Sequence, residues 1–185
     1  MLITLKTARE LGLMRQAGRV SARALREAGK AVEPGVSTAE LDRIARRVIE
    51  SEGAVPSFLH YQGFPAAACI SVNDQVIHGI PGHRILKQGD IVSIDVGAYI
   101  GGFHGDNAAT FACGSVSPAA RALMDATKQA LFAGIAAACA GNRVGDISNA
   151  VQRYAEARGY SVVRQFVGHG VGASIHEAPE VPNFG

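Results

Sequence analysis

No Cys-x-x-Cys pair occurs in this chain, and its three cysteines, Cys69, Cys113 and Cys139, are far apart and odd in number. That excludes a disulfide framework and a zinc knuckle, and reads as reduced, mostly buried thiols of a cytoplasmic protein. Charge of one sign is also scarce. The formal net charge is only +2, and the tightest basic pair, Arg46-Arg47, falls on a helix face that solvent explains, so no nucleic-acid partner is indicated. Long apolar runs are missing too. The N-terminal "MLITLKTARE" lacks a signal-peptide core, and the longest run, Ala130 to Ala140, is far short of the ~20 residues that cross a bilayer. What remains, 48% apolar and 18% charged residues, is an ordinary globular composition with room for one domain.

Helix signals come in two pairs. Thr7 and Glu10 form a capping box ahead of Leu11, Met14, Ala17, Val20, Ala24 and Leu25 at helical spacing. After a Pro34–Ser37 turn, a second capping box, Ser37 to Glu40, opens a helix that stops at Gly53. Ser117-Pro118 starts a third helix running to Gly141-Asn142, and a fourth covers Asp146 to Arg158. "LDRIARRVIESEGA" and "ISNAVQRYAEARGY" share Arg47/Arg153, Glu50/Glu156 and Gly53/Gly159 at a spacing of 106, and Met14 matches Met124 at 110. This predicts a duplicated α+β half: a complete first half at 7–116 and a partial second half at 117–185, within a single domain spanning 1–185.

Strand signals follow each helix pair. "ACISVNDQVIHG" reads as a hairpin turning at Asn73-Asp74, and "DIVSIDVGAYIGGFHGDNAATFAC" as a longer one turning at Gly101-Gly102. "SVVRQFVGHGVG" and "SIHEAPEVPNFG" supply the strands of the second half. A two-residue turn at Gly101-Gly102 pairs Ile100 with Phe103. It therefore sets Asp95 and Asp106 on one face as diagonal neighbours, ~7–8 Å apart at the backbone. Two carboxylates that close need a cation between them, a shared proton, or turn hydrogen bonds that occupy one of them.

Three histidines sit at strand ends beside Gly or Pro: His78 in "VIHGIPG", His169 in "GHGVG" and His176 in "SIHEAP". Imidazole with carboxylate is the ligand mix of hydrolytic metal sites that keep a position for water. His60 and His83 lack that setting and read as surface residues. His104 lies two residues before Asp106 on the same face, where a role supporting the ligands from behind is open to it.

The segments "VNDQVIHGIP", "SIDVGAYIGGFHGDNAATF", "GHGVG" and "IHEAPEVPNFG" together resemble the signature stretches of type I methionine aminopeptidases, in order and spacing across essentially the whole chain. The resemblance implies the pita-bread (creatinase/aminopeptidase) fold of α+β class, two pseudo-symmetric halves with a metal site between them. It implies Asp95, Asp106 and His169 as metal ligands, and His78 and His176 as catalytic residues that contact the scissile amide. It places Tyr61, Phe64 and Cys69 along the pocket for the methionine side chain. Divalent ions, two per complete site and drawn from Co, Mn, Fe, Zn or Mg, are the implied cofactor. The implied substrate is the N-terminal methionine of nascent polypeptides. The ribosome is a candidate partner, a monomer is the expected state, and neither a membrane nor specific nucleic acid is involved.

That family's five-ligand site also uses two glutamates on strands past the counterpart of His176. Glu177 and Glu180 do not stand in the required context and are not promoted to ligands. The expectation is a C-terminally truncated methionine aminopeptidase, its second half incomplete, inactive or nearly so as an isolated polypeptide, with apolar surface exposed on that half. Two other readings compete. One is an Xaa-Pro aminopeptidase-like enzyme of the same fold, and the other a non-enzymatic pita-bread protein that binds a partner.

Overall fold

The computed structural model describes residues 3–185; Met1 and Leu2, which the expected 1–185 domain includes, lie outside the described residues. The chain falls into two compact units. The larger holds Leu5–Ser117 together with Val171–Ile175, and the smaller is built mainly of Pro118–Gly170 and His176–Gly185.

In the larger unit, helix α1 (Ala8–Lys30) starts where the capping box places it. The Thr7 hydroxyl accepts from Glu10 N–H, and the Glu10 carboxylate accepts from Thr7 N–H. Helix α2 (Thr38–Ser51) is capped by the Ser37 side chain, which accepts from Glu40 N–H. Their buried faces, Val20, Ala24, Leu25 and Ala28 on α1 and Leu41, Ala45 and Ile49 on α2, close one side of a four-stranded antiparallel sheet. In that sheet β3 (Ile91–Ile100) is central. Strand β4 (Phe103–Ala112) pairs along its whole length, so β1 (Val55–Pro56) and β2 (Ala68–Val72) share its other edge. Alternation divides the sheet by face. Val92, Ile94 and Val96 are fully buried against the helices, which sends Ser93, Asp95 and Gly97 to the opposite face. Gly105 is what lets β4 approach α1: a Cβ there would lie 2.4 Å from backbone atoms of Ala17 and Gly18. Two residues on, Asn107 donates to the buried Ser21 hydroxyl at 2.6 Å.

The expected hairpin at Asn73-Asp74 does not form. Strand β2 exists, but its partner is β3, and no strand covers residues 73–90. Asn73 takes a left-handed conformation (φ 59°), its N–H donates to Ile91 O, and its side-chain oxygen accepts from Ile91 N–H. The other edge of β2 is met by Gly79, whose carbonyl accepts from Ile70 N–H at 2.8 Å. The turn itself forms, with Gln75 N–H donating to Val72 O, but the chain beyond it returns to β2 only at Gly79 and not as a strand, and Pro81 has no N–H with which to extend a ladder.

In the smaller unit, helices α3 (Pro118–Ala137) and α4 (Val144–Glu156) pack on each other, and β5 (Gly168–Gly170) pairs antiparallel with β6 (Glu177–Val181). Helix α3 ends earlier than the predicted Gly141-Asn142, because the Asn142 side chain donates to Ala137 O and so caps the last turn. Residues 160–167 are not strand, although "SVVRQF" carries a strand signal. Leu131, Phe132 and Ile135 of α3 are each at least half exposed. None of the helices is long and apolar enough to cross a membrane, among the described residues.

Candidate active site

The Gly-Gly turn sets the geometry of the carboxylates. Gly101 (φ 63°) and Gly102 (φ 88°) both take the positive φ of a tight hairpin turn, and Ile100 pairs with Phe103. Asp95 then stands opposite Ala108 and Asp106 opposite Gly97, on the sheet face away from the helices. The two side chains reach each other and share a hydrogen bond. Burial first, then the Asp106 charge and that bond, push the Asp95 carboxyl up to about 8 from an ordinary 3.8, while Val96 N–H works in the other direction. Cys69 pairs with Asp95 in register from β2. Its thiol is pushed up to about 12, by burial and then by Asp95 and Asp106, so it lies on this face as a neutral group and not as a thiolate ligand.

An apolar cluster adjoins the carboxylates. Phe58, Cys69 and Ile175 are buried together, with Phe64 and Val171 packed against them. Of the expected pocket residues, Phe64 and Cys69 are therefore brought together, whereas Tyr61 stays outside the cluster and is 37% exposed. Tyr61 opens a single 3-10 turn at Tyr61–Gly63, held by Tyr61 N–H to Phe58 O and Phe64 N–H to Tyr61 O. Sequence reasoning missed Phe58, Val171 and Ile175. The available signal was their place beside motif residues: Phe58 three before Tyr61, and Val171 and Ile175 bracketing the stretch between His169 and His176. It also missed Asp42 on α2, whose carboxylate accepts from Ala67 and Ala68 N–H at 2.9 Å each and fixes the start of β2. Burial is the leading influence on Asp42 and raises its pKa, against those two hydrogen bonds.

The histidines divide by setting. His78 is exposed, in a left-handed conformation (φ 58°), immediately before Gly79, whose N–H donates to the Ser71 hydroxyl. In the smaller unit, the His169 and His176 rings lie 4.1 Å apart between centroids. His169 Nδ1 is 2.9 Å from Gly170 O; a carbonyl only accepts, so Nδ1 carries the proton and the lone pair falls on Nε2. His60 and His83 are exposed. His104 on β4 has its ring on Tyr99, with Nδ1 2.8 Å from the Ser57 hydroxyl. Glu177 and Glu180 are β6 residues opposite Gly170 and His169.

Among the described residues, no three His, Cys, Asp or Glu side chains are gathered into a closed metal cluster. Asp95 and Asp106 belong to the larger unit and His169 to the smaller. The donor chemistry nevertheless fits a divalent ion. Within the larger unit, the two neighbouring carboxylates, Asp95 held from ionising by burial and by Asp106, offer hard oxygen donors that a cation would relieve.

Residues 12–185 match the model of metallopeptidase family M24. Over 184 residues the chain is 49% identical to methionine aminopeptidase 1 of Bacillus subtilis and 53% identical to the methionine aminopeptidase of Clostridium perfringens, covering all of this chain and 74% of each relative. It superposes on the crystal structure of methionine aminopeptidase from Rickettsia prowazekii with a TM-score of 0.97 and 38% identity, again over all of this chain and 74% of the other. Prolidase from Pyrococcus furiosus, at 23% identity and a TM-score of 0.85, shares the fold alone, over 97% of this chain and 52% of its own. The shared architecture is the α+β pita-bread fold. With half its residues identical to methionine aminopeptidases and the family match running from α1 to the last residue, the chain belongs to metallopeptidase family M24, among the methionine aminopeptidases.

Proposed function

We propose that this protein is a metal-dependent aminopeptidase that removes the N-terminal methionine of polypeptides, including nascent ones in the cytoplasm. The observation that carries the reading is the Asp95–Asp106 pair beside an apolar, thiol-bearing cluster, in a chain about half identical to methionine aminopeptidases. Asp95, Asp106 and His169 would hold the metal. When bound, the divalent ion acts as a Lewis acid that lowers the pKa of water and anchors the substrate's free amine. Asp95 and Asp106 supply charge and orientation, and Asp95 would give up its proton to the ion. His78 and His176 donate hydrogen bonds to the scissile amide oxygen, bonds that strengthen as negative charge develops there. Phe58, Phe64, Cys69, Val171 and Ile175 accept the thioether, with a neutral thiol and aromatic edges suited to sulfur. A second ion, which the resemblance implies for a complete site, calls for carboxylates beyond Asp95 and Asp106.

Initial rates on Met-Ala-Ser and on an Xaa-Pro peptide, with Mn²⁺, Fe²⁺, Co²⁺, Zn²⁺ or Mg²⁺ supplied in turn, test the reading. Metal-dependent release of methionine alone supports it. Release of the residue before proline in preference would replace it with the Xaa-Pro activity. Tight partner binding with neither a metal site nor turnover would replace it with a binding protein.

A further inference from the structure

His104 is not among the ligands or the amide-contacting histidines, yet it joins three segments of the larger unit. Its Nδ1 lies 2.8 Å from Ser57 Oγ, its ring rests on Tyr99 with centroids 4.6 Å apart, and its backbone N–H donates to Gly172 O at 2.8 Å. Ser57 is itself buried, and its N–H donates to Gly97 O, the residue opposite Asp106. From Ser57 the chain runs straight into the wall of the apolar cluster. Phe58 follows directly, and its ring packs so closely over Gly97 that a Cβ on that glycine would lie 2.7 Å from it. Within the stretch from Ser57 to Phe64 the backbone bonds to itself: His60 N–H to Phe64 O, Tyr61 N–H to Phe58 O, and Phe64 N–H to Tyr61 O. The Ser57–His104 bond ties the start of this stretch to β4 by a side chain, beside the Phe58 ring on Gly97.

The opposite wall has the same origin. Gly172, bonded to His104, lies between Val171 and Ile175, which meet Phe58 and Cys69 in the cluster. One residue on β4, two positions before Asp106, thus bonds to the segments that form both walls of the apolar cluster.

We infer that His104 is a positioning residue. Through its ring on Ser57 and its backbone N–H on Gly172 it sets the distance between the carboxylates and the walls that grip the substrate's first side chain, and a substitution at 104 removes the first link alone. The inference rests on the aminopeptidase reading for the identity of that side chain. Its mechanical part does not.

The test compares the full chain with His104→Ala, His104→Asn, Ser57→Ala and the double variant Ser57→Ala/His104→Ala, by steady-state kinetics on Met-Ala-Ser and by amide hydrogen exchange. Each single alanine variant raises KM by about 3- to 10-fold, the size of one lost side-chain hydrogen bond, and changes kcat by less than about 2-fold. The double variant is no worse than His104→Ala, because both changes break the same link. His104→Asn keeps a polar atom near the Nδ1 position and recovers most of the loss. Amides of His60, Tyr61 and Phe64 exchange about 10-fold faster in both alanine variants, while those of β3 do not change. Additive KM effects, a fall in kcat at unchanged KM, or unaltered exchange at His60–Phe64 would overturn the inference. If wild-type protein releases no methionine, the functional reading fails, and the exchange measurement alone decides whether His104 is the anchor.

Discussion

The Asp95 and Asp106 carboxyl groups share a hydrogen bond across the β3–β4 hairpin, and that proton governs how the metal-free protein responds to pH. Asp95 ionises near 3.8 when unfolded and at about 8 when folded, so the folded state binds the proton more tightly. The penalty on folding is therefore absent below the unfolded value, sets in as pH rises through 4, and is complete near 8. Its full size is on the order of a few kcal/mol, since tenfold in proton affinity is about 1.4 kcal/mol. Thermal melts in EDTA should show stability falling from pH 5 to pH 8, and Asp95→Asn should flatten that slope and raise the melting temperature at pH 8. A wild-type slope of the opposite sign would show that the pair does not hold the proton.

Adding a divalent ion should reverse that trend, because the ion takes the place of the proton between the two carboxylates. Calorimetry with Mn²⁺ at pH 7.5 should give one site per chain, with proton release visible as a buffer-dependent enthalpy. Asp95→Ala and Asp106→Ala should each abolish the site and lower any methionine release by about 100-fold or more. His169→Ala should weaken the site by about 10- to 100-fold without removing the carboxylate pair. Two equal sites in the wild-type chain would mean that donors other than these three complete a second site.

Features set by neighbours in sequence were readable in advance. The Thr7–Glu10 and Ser37–Glu40 caps, and the Asp95/Asp106 face, each follow from residues within a few positions of a turn or helix start. Contacts across long separations were not. Asn73 makes the turn its signal announces, but it also bonds to Ile91, eighteen residues on, and the chain after the turn runs as a loop where a second strand was expected. Phe58's place three before Tyr61 hints at the pocket, but its meeting with Cys69 and Ile175, like that of Ser57 with His104, depends on how β3 pairs on both edges. The metal-type residues were recognisable by type and spacing, whereas the residues that hold them in place had no motif.

Asp42 tests one of those unannounced supports. Its carboxylate accepts two backbone N–H groups at the entry to β2, so Asp42→Ala strands two donors at a half-buried position. The expected cost is about 1–3 kcal/mol. Asp42→Asn keeps one acceptor oxygen and should cost less than half as much. Urea unfolding of the three proteins checks the order, and equal losses for Ala and Asn would show that the charge, and not the hydrogen bonds, is what matters there.

The loop carrying His78 is held against β2 at Gly79, where two bonds meet: Ile70 N–H to Gly79 O and Gly79 N–H to the Ser71 hydroxyl. A Cβ at Gly79 would lie 2.2 Å from Ile70 O and 2.9 Å from Ser71 Cα, backbone atoms that cannot yield while β2 remains paired with β3. Gly79→Ala must therefore push the loop off the strand and displace His78, leaving Asp95 and Asp106 where they are. Metal binding should be unchanged, kcat should fall by about 100-fold through lost alignment, and stability should drop by about 1–3 kcal/mol. Gly82→Ala is the matched control, because a Cβ there meets nothing within 4 Å. Its stability should stay within about 0.5 kcal/mol of wild type, with kcat intact. If Gly79→Ala retains full kcat, His78 does not act on the scissile amide from this loop. If instead its metal affinity falls along with kcat, the loop and the carboxylate hairpin are one mechanical unit, and the proposed division of roles between His78 and the ligands is wrong.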